Sequence, residues 1–349
     1  MRRQPAATEG PVTLADVARR AGVSPATASR VINGSPKPVA DDLRDRVLRA
    51  VDDLRYVPNA HAQSLARAQR SAVGVIVHDV SDPYFAEITR GLQRVAIEHG
   101  RLLVICNSYR DPVREREYVE LLHANQVAAI VLAGSGIADP AANKDLASAL
   151  AAYGRTGGRV ALIGRHTLPG NAVIPANEDG GRLLGQHLYR LGHRKIGVVG
   201  GPQQLTSTAD RLAGLRSAAQ EAGTTIPAKR VAYADFTRDS GAAATKALLE
   251  TEPALTAVVA LNDAMAVGAL SYLRERGIVV PDHLSVAGFD DMPVAGDVTP
   301  TLTTVRLPLV EMGVRAMTMA LDSGGGTGTK IERLDATLVV RQSTAAPRP

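Results

Sequence analysis

A single cysteine, Cys106, stands in 349 residues, so no intrachain disulfide can form and no cysteine cluster can hold a metal. Set inside the apolar run LLVICNS, it reads as a buried thiol. No window reaches the ~18 uninterrupted apolar residues that a membrane helix needs, and the opening MRRQPAATEG has basic residues with no apolar run behind them. The expectation is a cytoplasmic protein without a membrane partner. The eight histidines are scattered without metal-ligand spacing, and G-x-x-x-x-G-K-[ST], H-E-x-x-H and G-x-S-x-G are all missing. GSGIAD, 134–139, starts like a dinucleotide loop but puts Asp139 where the last glycine of G-x-G-x-x-G belongs. Neither a cofactor nor a metal is expected, and the chain does not read as an enzyme.

What is present is unevenly spread. Residues 1–70 carry 12 Lys+Arg against 7 Asp+Glu, which is +5, the whole formal net charge of the chain, and leaves 28 against 28 in the rest. A basic leading segment is the electrostatic footprint of a nucleic-acid binder, or else a solvated basic tail. With 45% hydrophobic residues and roughly 100 to 200 residues per domain, more than one domain with its own core is expected.

Within the basic segment, Thr13 can cap a helix over 14–20 whose N3 residue is Asp16, with Leu14, Val17 and Ala18 at i, i+3, i+4. AGV at 21–23 supplies a tight turn. Ser24 then caps a second helix with Pro25 at N1, and the pair makes a helix-turn-helix unit. Ala28, Val31 and Ile32 form its inward stripe, which leaves Pro25, Ala26, Ser29, Arg30 and Asn33 outward. Such a face is small enough to enter a DNA major groove, with hydroxyls for phosphates and Arg30 long enough for phosphate or a guanine edge. Periodicity alone also allows a surface helix with an incidental arginine. A third helix is expected over 41–54 with Leu43, Val47, Ala50, Val51 and Leu54 buried.

From 73 onward apolar strand candidates alternate with amphipathic stretches: 73–79, 102–108, 128–135, 159–165, 195–201, 230–236, 257–263 and 284–290, with helices over 86–99, 113–124, 208–222 and 264–276. That alternation means parallel sheets covered on both faces. Four strands before about 170 and four after 190 suggest two similar α/β subdomains, with a cleft at the carboxyl ends of their strands. Asp82, Tyr84 and Phe85 follow the first strand, Phe236, Asn262 and Asp290 end later ones, and Arg211 opens a helix. Carboxylates, an amide and a guanidinium beside aromatic faces suit a polyhydroxylated ring. Taken singly, Asp290 could cap a turn, Phe236 could be core, and Arg211 could pair with an acid.

VTLADVARRAGVSPATASRVING, followed by RVLRAVDDLRYVPNAHAQSLA, resembles the DNA-binding headpiece of the LacI/GalR (lactose-repressor) family of bacterial transcription regulators over 12–67. SDPYFAEI, LGHRKIGVVGG, ALNDAMAVGAL, SVAGFDD and LTTVR extend the resemblance to most of 71–344, as an effector domain similar to the sugar-binding proteins of bacterial uptake systems. The resemblance implies a flexible start over 1–11, a headpiece over 12–57, a hinge helix and linker over 58–70, an effector and dimerisation domain over 71–344, and a flexible tail over 345–349. It implies that the chain crosses three times between the subdomains, with 291–320 returning to the first. It places Thr13, Ser24, Pro25, Ala26, Thr27, Ser29, Arg30 and Asn33 on DNA, Pro25 and Ala26 at the variable base-reading positions. In the hinge it adds Asn59, Ala62 and Leu65, the last as a wedge between base pairs of the minor groove. It assigns Arg211, Asn262 and Asp290 to effector hydroxyls and Phe236 to a stacking wall, and Arg165 matches a further effector arginine.

The implied partners are a pseudo-palindromic double-stranded operator, a small effector that is a sugar or sugar derivative, and a second copy of the chain, with the helix over 83–97 as one dimer surface. Four positions depart from the pattern. Ala40 and Leu43 replace hydroxyl residues that cap the third helix and touch phosphate. Gly164 stands where an aspartate is common. Leu205 replaces the arginine of purine-responsive members. A sugar-binding protein with no DNA function is the alternative.

Overall fold

The computed structural model describes residues 12–33, 38–57, 72–138, 141, 143–322 and 329–348. The chain divides into two compact units, Met1–Arg70 and Ser71–Pro349. Asn59, Ala62 and Leu65, and the hinge helix expected around them, lie outside the described residues.

The first unit holds α1 (Leu14–Ala21), α2 (Pro25–Asn33) and α3 (Asp41–Leu54). Thr13 and Asp16 cap α1 reciprocally: the Asp16 amide donates to the Thr13 hydroxyl, and the Thr13 amide donates to the Asp16 carboxylate at 3.0 Å. Those bonds hold the Asp16 carboxyl below its ordinary pKa. Val17, Ala18, Ala21, Ala28, Val47 and Ala50 are the buried centre, and Leu14, Val31, Ile32, Val51 and Leu54 close around them with Val23 and Tyr56. Arg46 of α3 donates to the Gly22 carbonyl at 3.1 Å, which ties the third helix to the turn between the first two. The α3 N-terminus has Ala40 at its cap with no side-chain hydrogen bond, the direct consequence of the missing hydroxyl.

The second unit has two lobes. In the first, β1 (Ala72–Val77), β2 (Leu102–Asn107), β3 (Ala129–Ala133), β4 (Arg159–Ile163) and β5 (Asn171–Pro175) join β11 (Ile331–Leu334) in one parallel sheet of order β11-β5-β4-β3-β1-β2. Helices α4 (Pro83–Glu98), α5 (Pro112–Ala124) and α6 (Lys144–Arg155) alternate with its strands. In the second lobe β6 (Ile196–Gly200), β7 (Val231–Tyr233), β8 (Ala257–Ala260) and β9 (Ser285–Ala287) form a parallel sheet of order β7-β6-β8-β9. Its helices are α7 (Asn177–Arg190), α8 (Thr206–Glu221), α9 (Arg238–Thr251) and α10 (Asp263–Glu275). A short α11 (Val294–Asp297) follows, then β10 (Thr304–Arg306), which pairs antiparallel with β12 (Thr337–Val339).

Between β10 and β12 the chain makes α12 (Leu309–Leu321), which packs on α4 and on the first sheet. The chain thus passes between the lobes after β5, between β10 and α12, and after β11, three passages in all. Three expectations give way here. The first sheet has six strands, because β5 and the edge strand β11 join the four read from sequence. The inner face of α4 does not present a dimer surface: Phe85, Ile88, Leu92 and Val95 are buried within the chain, against α12 and the sheet. Nor do residues 345–348 run free. The Ala345 amide and carbonyl bond the Ser285 hydroxyl at 3.1 and 3.2 Å, and the same carbonyl meets His193 Nε2 at 2.9 Å.

Candidate functional site

On α2, Ala28 is fully buried while Pro25, Ala26 and Arg30 are exposed. The Ser24 hydroxyl accepts from the Thr27 amide at 3.1 Å and lies 2.9 Å from the Thr27 hydroxyl. Asn33 donates to Ser29 at 3.0 Å. Ser24, Thr27, Ser29 and Asn33 are thereby ordered by one another, and Arg30 makes no hydrogen bond or ion pair among the described residues. A small, ordered outer face with one unengaged guanidinium is a surface for phosphate and base edges.

In the second unit the carboxyl ends of the strands converge on a cleft lined by Asp82, Tyr84, Phe85, Arg211, Phe236, Asn262 and Asp290. Each is fixed by its element. Asp82 caps α4, its carboxylate accepting from the Tyr84 amide at 3.0 Å, and burial pushes its pKa up. Phe85 meets Tyr84 edge to face at 5.0 Å and His78 at 5.4 Å. Asn262 caps α10: its carbonyl accepts from the Met265 amide at 2.9 Å and its amide donates to the Phe236 carbonyl at 3.0 Å. That bond anchors Phe236, whose backbone is left-handed at φ 63°.

Arg211 sits on α8, which can approach α7 closely because Gly214 has no side chain; a Cβ there would collide with the Glu178 carbonyl. The close crossing brings Arg211 Nε to the Asn177 side-chain oxygen Oδ1, to which it donates at 2.9 Å. Its Nη1 donates to the Leu261 carbonyl and, at 3.4 Å, to Asp290, and Nη2 donates to the other Asp290 oxygen at 2.7 Å. The guanidinium lies 4.0 Å over the Phe289 ring. With those four bonds made, one Nη2 hydrogen is left for a ligand. Burial raises Asp290 to about 6 although Arg211 pulls the other way. Behind it Asp263 accepts from the Thr304 hydroxyl and the Met292 amide, each at 2.6 Å, and burial with the Asp290 charge pushes it up to about 8.

Arg165 is not among the cavity residues. It is bound to Asp210 through Nε at 3.0 Å and Nη2 at 2.5 Å, part of a clasp that joins the lobes. The 136–138 segment meets 204–206 as an antiparallel bridge: the Thr206 amide donates to the Gly136 carbonyl at 2.9 Å, and the Ala138 amide to the Gln204 carbonyl at 3.0 Å. Ser135 and Ser207 hydroxyls add a bond of 2.5 Å. Leu205, in this clasp, is buried and lines the cavity. Gly164 has φ 107°, and a Cβ would meet the Gly134 carbonyl, so an aspartate at this place would be strained.

His78, Arg110, Ser135 and Ser207 also line the cavity and were not singled out from sequence. His78, Arg110 and Ser135 follow β1, β2 and β3 within a few residues, the same strand-end rule that located Asp82. Burial holds His78 down to about 3, so it is neutral.

A helix-turn-helix unit and a two-lobed α/β unit with a polar cleft, on one chain, define a ligand-controlled transcription regulator. The model for bacterial regulatory proteins of the lacI family matches residues 13–59, and that for a periplasmic binding protein-like domain matches residues 186–344. The transcriptional regulator GalS of Salmonella typhimurium is 38% identical over 319 residues, 90% of this chain and 91% of that protein. The lac repressor dimer bound to operator and the anti-inducer ONPF aligns at a TM-score of 0.85 with 29% identity, covering 97% of this chain and all of that one. The regulator CelR in complex with cellobiose aligns at 0.71 with 33% identity, covering 95% and 99%. The chain belongs to the lacI family of bacterial regulatory proteins.

Proposed function

We propose that the protein is a homodimeric transcriptional repressor of the cytoplasm that reads a pseudo-palindromic operator and is controlled by a sugar or sugar derivative in the cleft. Residues 12–57 serve as the reading head, 58–70 as the hinge and 71–344 as the effector domain. The observation that carries this reading is the exposed α2 face, with Pro25, Ala26 and the unengaged Arg30 over a fully buried Ala28. A solute-binding protein with no DNA function has no use for it.

In the cleft, Asp82, Arg211, Asn262 and Asp290 face ligand hydroxyls and Phe236 the C–H face of a ring; the cellobiose complex of CelR supports a sugar. Arg165 has no part in this site. The second copy is met through the lateral strand β2, whose Leu102 and Val104 are exposed together with Ile97 at the end of α4. Leu65 is the minor-groove wedge. The effector controls DNA binding through its different affinities for two arrangements of the lobes, and is not turned over.

The test is selection of binding sites from randomised duplex DNA. A two-fold-symmetric consensus bound by the wild-type protein and lost to Arg30→Ala supports the reading. Recovery of unordered sequence, or equal binding of both proteins to the consensus, contradicts it.

A further inference from the structure

The cleft holds two arginines in opposite conditions. Arg211 is engaged by Asp290, Asn177 and a carbonyl, which neutralise its charge and leave one Nη2 hydrogen free. Arg110, in the turn after β2 where Tyr109 and Arg110 take φ of 53° and 61°, lines the cleft and also a small adjoining pocket. Its Nε is buried with no hydrogen-bond partner. Among the described residues, its guanidinium makes no ion pair; the one close partner is the Phe236 ring, at 5.5 Å. Asp82, Asp235 and Asp79 favour its charge from a distance, yet burial outweighs them and lowers its pKa.

We propose that the effector is a sugar acid, a polyhydroxylated molecule with one carboxylate, and that Arg110 receives that carboxylate. The proposal rests on the cleft being the effector site and goes further by fixing the ligand's charge. A neutral hydroxyl would accept one or two bonds and leave the charge uncompensated; a carboxylate matches the planar fork with two parallel bonds and cancels it.

A phosphate fits less well for three reasons. Asp82 and Asn262 already cap α4 and α10, and the Thr206 amide at the start of α8 is bound to Gly136, so these helix ends offer no free cradle of amides. Among the described residues no second unpaired cation lines the cleft, since Arg211 is ion-paired with Asp290 and His78 is neutral. Asp82 and Asp290 in the lining would repel a dianion more than a single charge. With the carboxylate on Arg110, the hydroxylated part of the ligand lies along Phe236 toward Asn262 and the Arg211–Asp290 pair.

The experiment is calorimetric titration of the full chain with D-galacturonate, D-glucuronate, D-gluconate and D-galactonate, each against its neutral parent sugar and the hexose 6-phosphate. Arg110→Gln and Arg110→Lys run in parallel, with thermal midpoints to confirm folding. The proposal expects one acid to bind at least about tenfold tighter than its neutral parent and its phosphate, the size of a charge-assisted bidentate contact. It expects that ratio to fall to about threefold or less in Arg110→Gln, with Arg110→Lys between the two because it keeps the charge and loses the fork. Equal or tighter binding of a neutral sugar or a phosphate, or a ratio that survives Arg110→Gln, overturns the proposal and leaves the cleft reading standing. Binding of no sugar of any kind overturns both.

Discussion

Arg211 and Asp290, 79 positions apart, form an ion pair of 2.7 Å in which the two side chains are only 4% and 5% exposed. One partner rides on α8 and the other follows β9, so the pair joins a helix to a strand end at the floor of the cleft while it presents the remaining polar edge to the cavity.

Removing one member leaves a buried charge alone. Asp290→Ala is expected to destabilise the effector unit by about 3–5 kcal/mol, well beyond the loss of a ligand contact. Chemical denaturation checks this. A double variant, Arg211→Met with Asp290→Leu, removes both charges and should recover most of the lost stability while leaving ligand binding abolished. Recovery of ligand binding in the double variant would contradict the place of the pair in the site.

Arg30→Ala should weaken operator binding by about 1–3 kcal/mol and narrow its margin over random DNA, with stability unchanged to within about 0.5 kcal/mol because the side chain is exposed and unengaged. Anisotropy titrations on both DNAs, set beside thermal unfolding, separate the two effects.

The uncapped start of α3 is a correctable fault. Ala40→Ser should add about 0.5–1 kcal/mol to the head by accepting from an amide of the first turn. Slower hydrogen exchange in the amides of α3 would register the gain, and unchanged exchange would mean that no cap had formed.

Asp263 makes stability depend on pH in a defined direction. Its pKa is about 8 in the folded chain against 3.8 in the ordinary state, so the native form keeps a proton that the unfolded form gives up. The associated stability is complete below about pH 4 and is lost as pH rises through about 8. Measured against Asp263→Asn, the thermal midpoint of the wild-type protein should therefore fall between about pH 5 and about pH 8.5. Parallel curves for the two proteins would show that Asp263 does not titrate in that interval.

Much of this architecture is legible in the sequence because it follows from local rules. Thr13, Ser24 and Pro25 set helix starts, apolar period sets the buried faces of α1–α3, and the end of a strand marks Asp82, Asn262 and Asp290. What escapes reading depends on partners distant in the chain. Arg165 carries the same chemistry as Arg211, but Asp210, 45 residues on, takes it into the clasp. The apolar face of α4 looks free until α12, more than two hundred residues later, covers it. Arg110 is hidden in a turn whose left-handed backbone no helix or strand pattern announces. β11 is short, its side chains alternate between exposed and partly buried, and its apolar signal is correspondingly faint.

The most direct test of the central claim is whether a ligand in the cleft changes DNA binding by the head. Operator affinity of the full chain is to be measured by anisotropy with and without saturating sugars and sugar acids, on wild type and Asp290→Asn. The account predicts at least one compound that changes operator affinity by about fivefold or more, a coupling of about 1 kcal/mol, with the effect lost in Asp290→Asn. A compound that binds calorimetrically in a manner dependent on Asp290, yet leaves operator affinity unchanged, would contradict it.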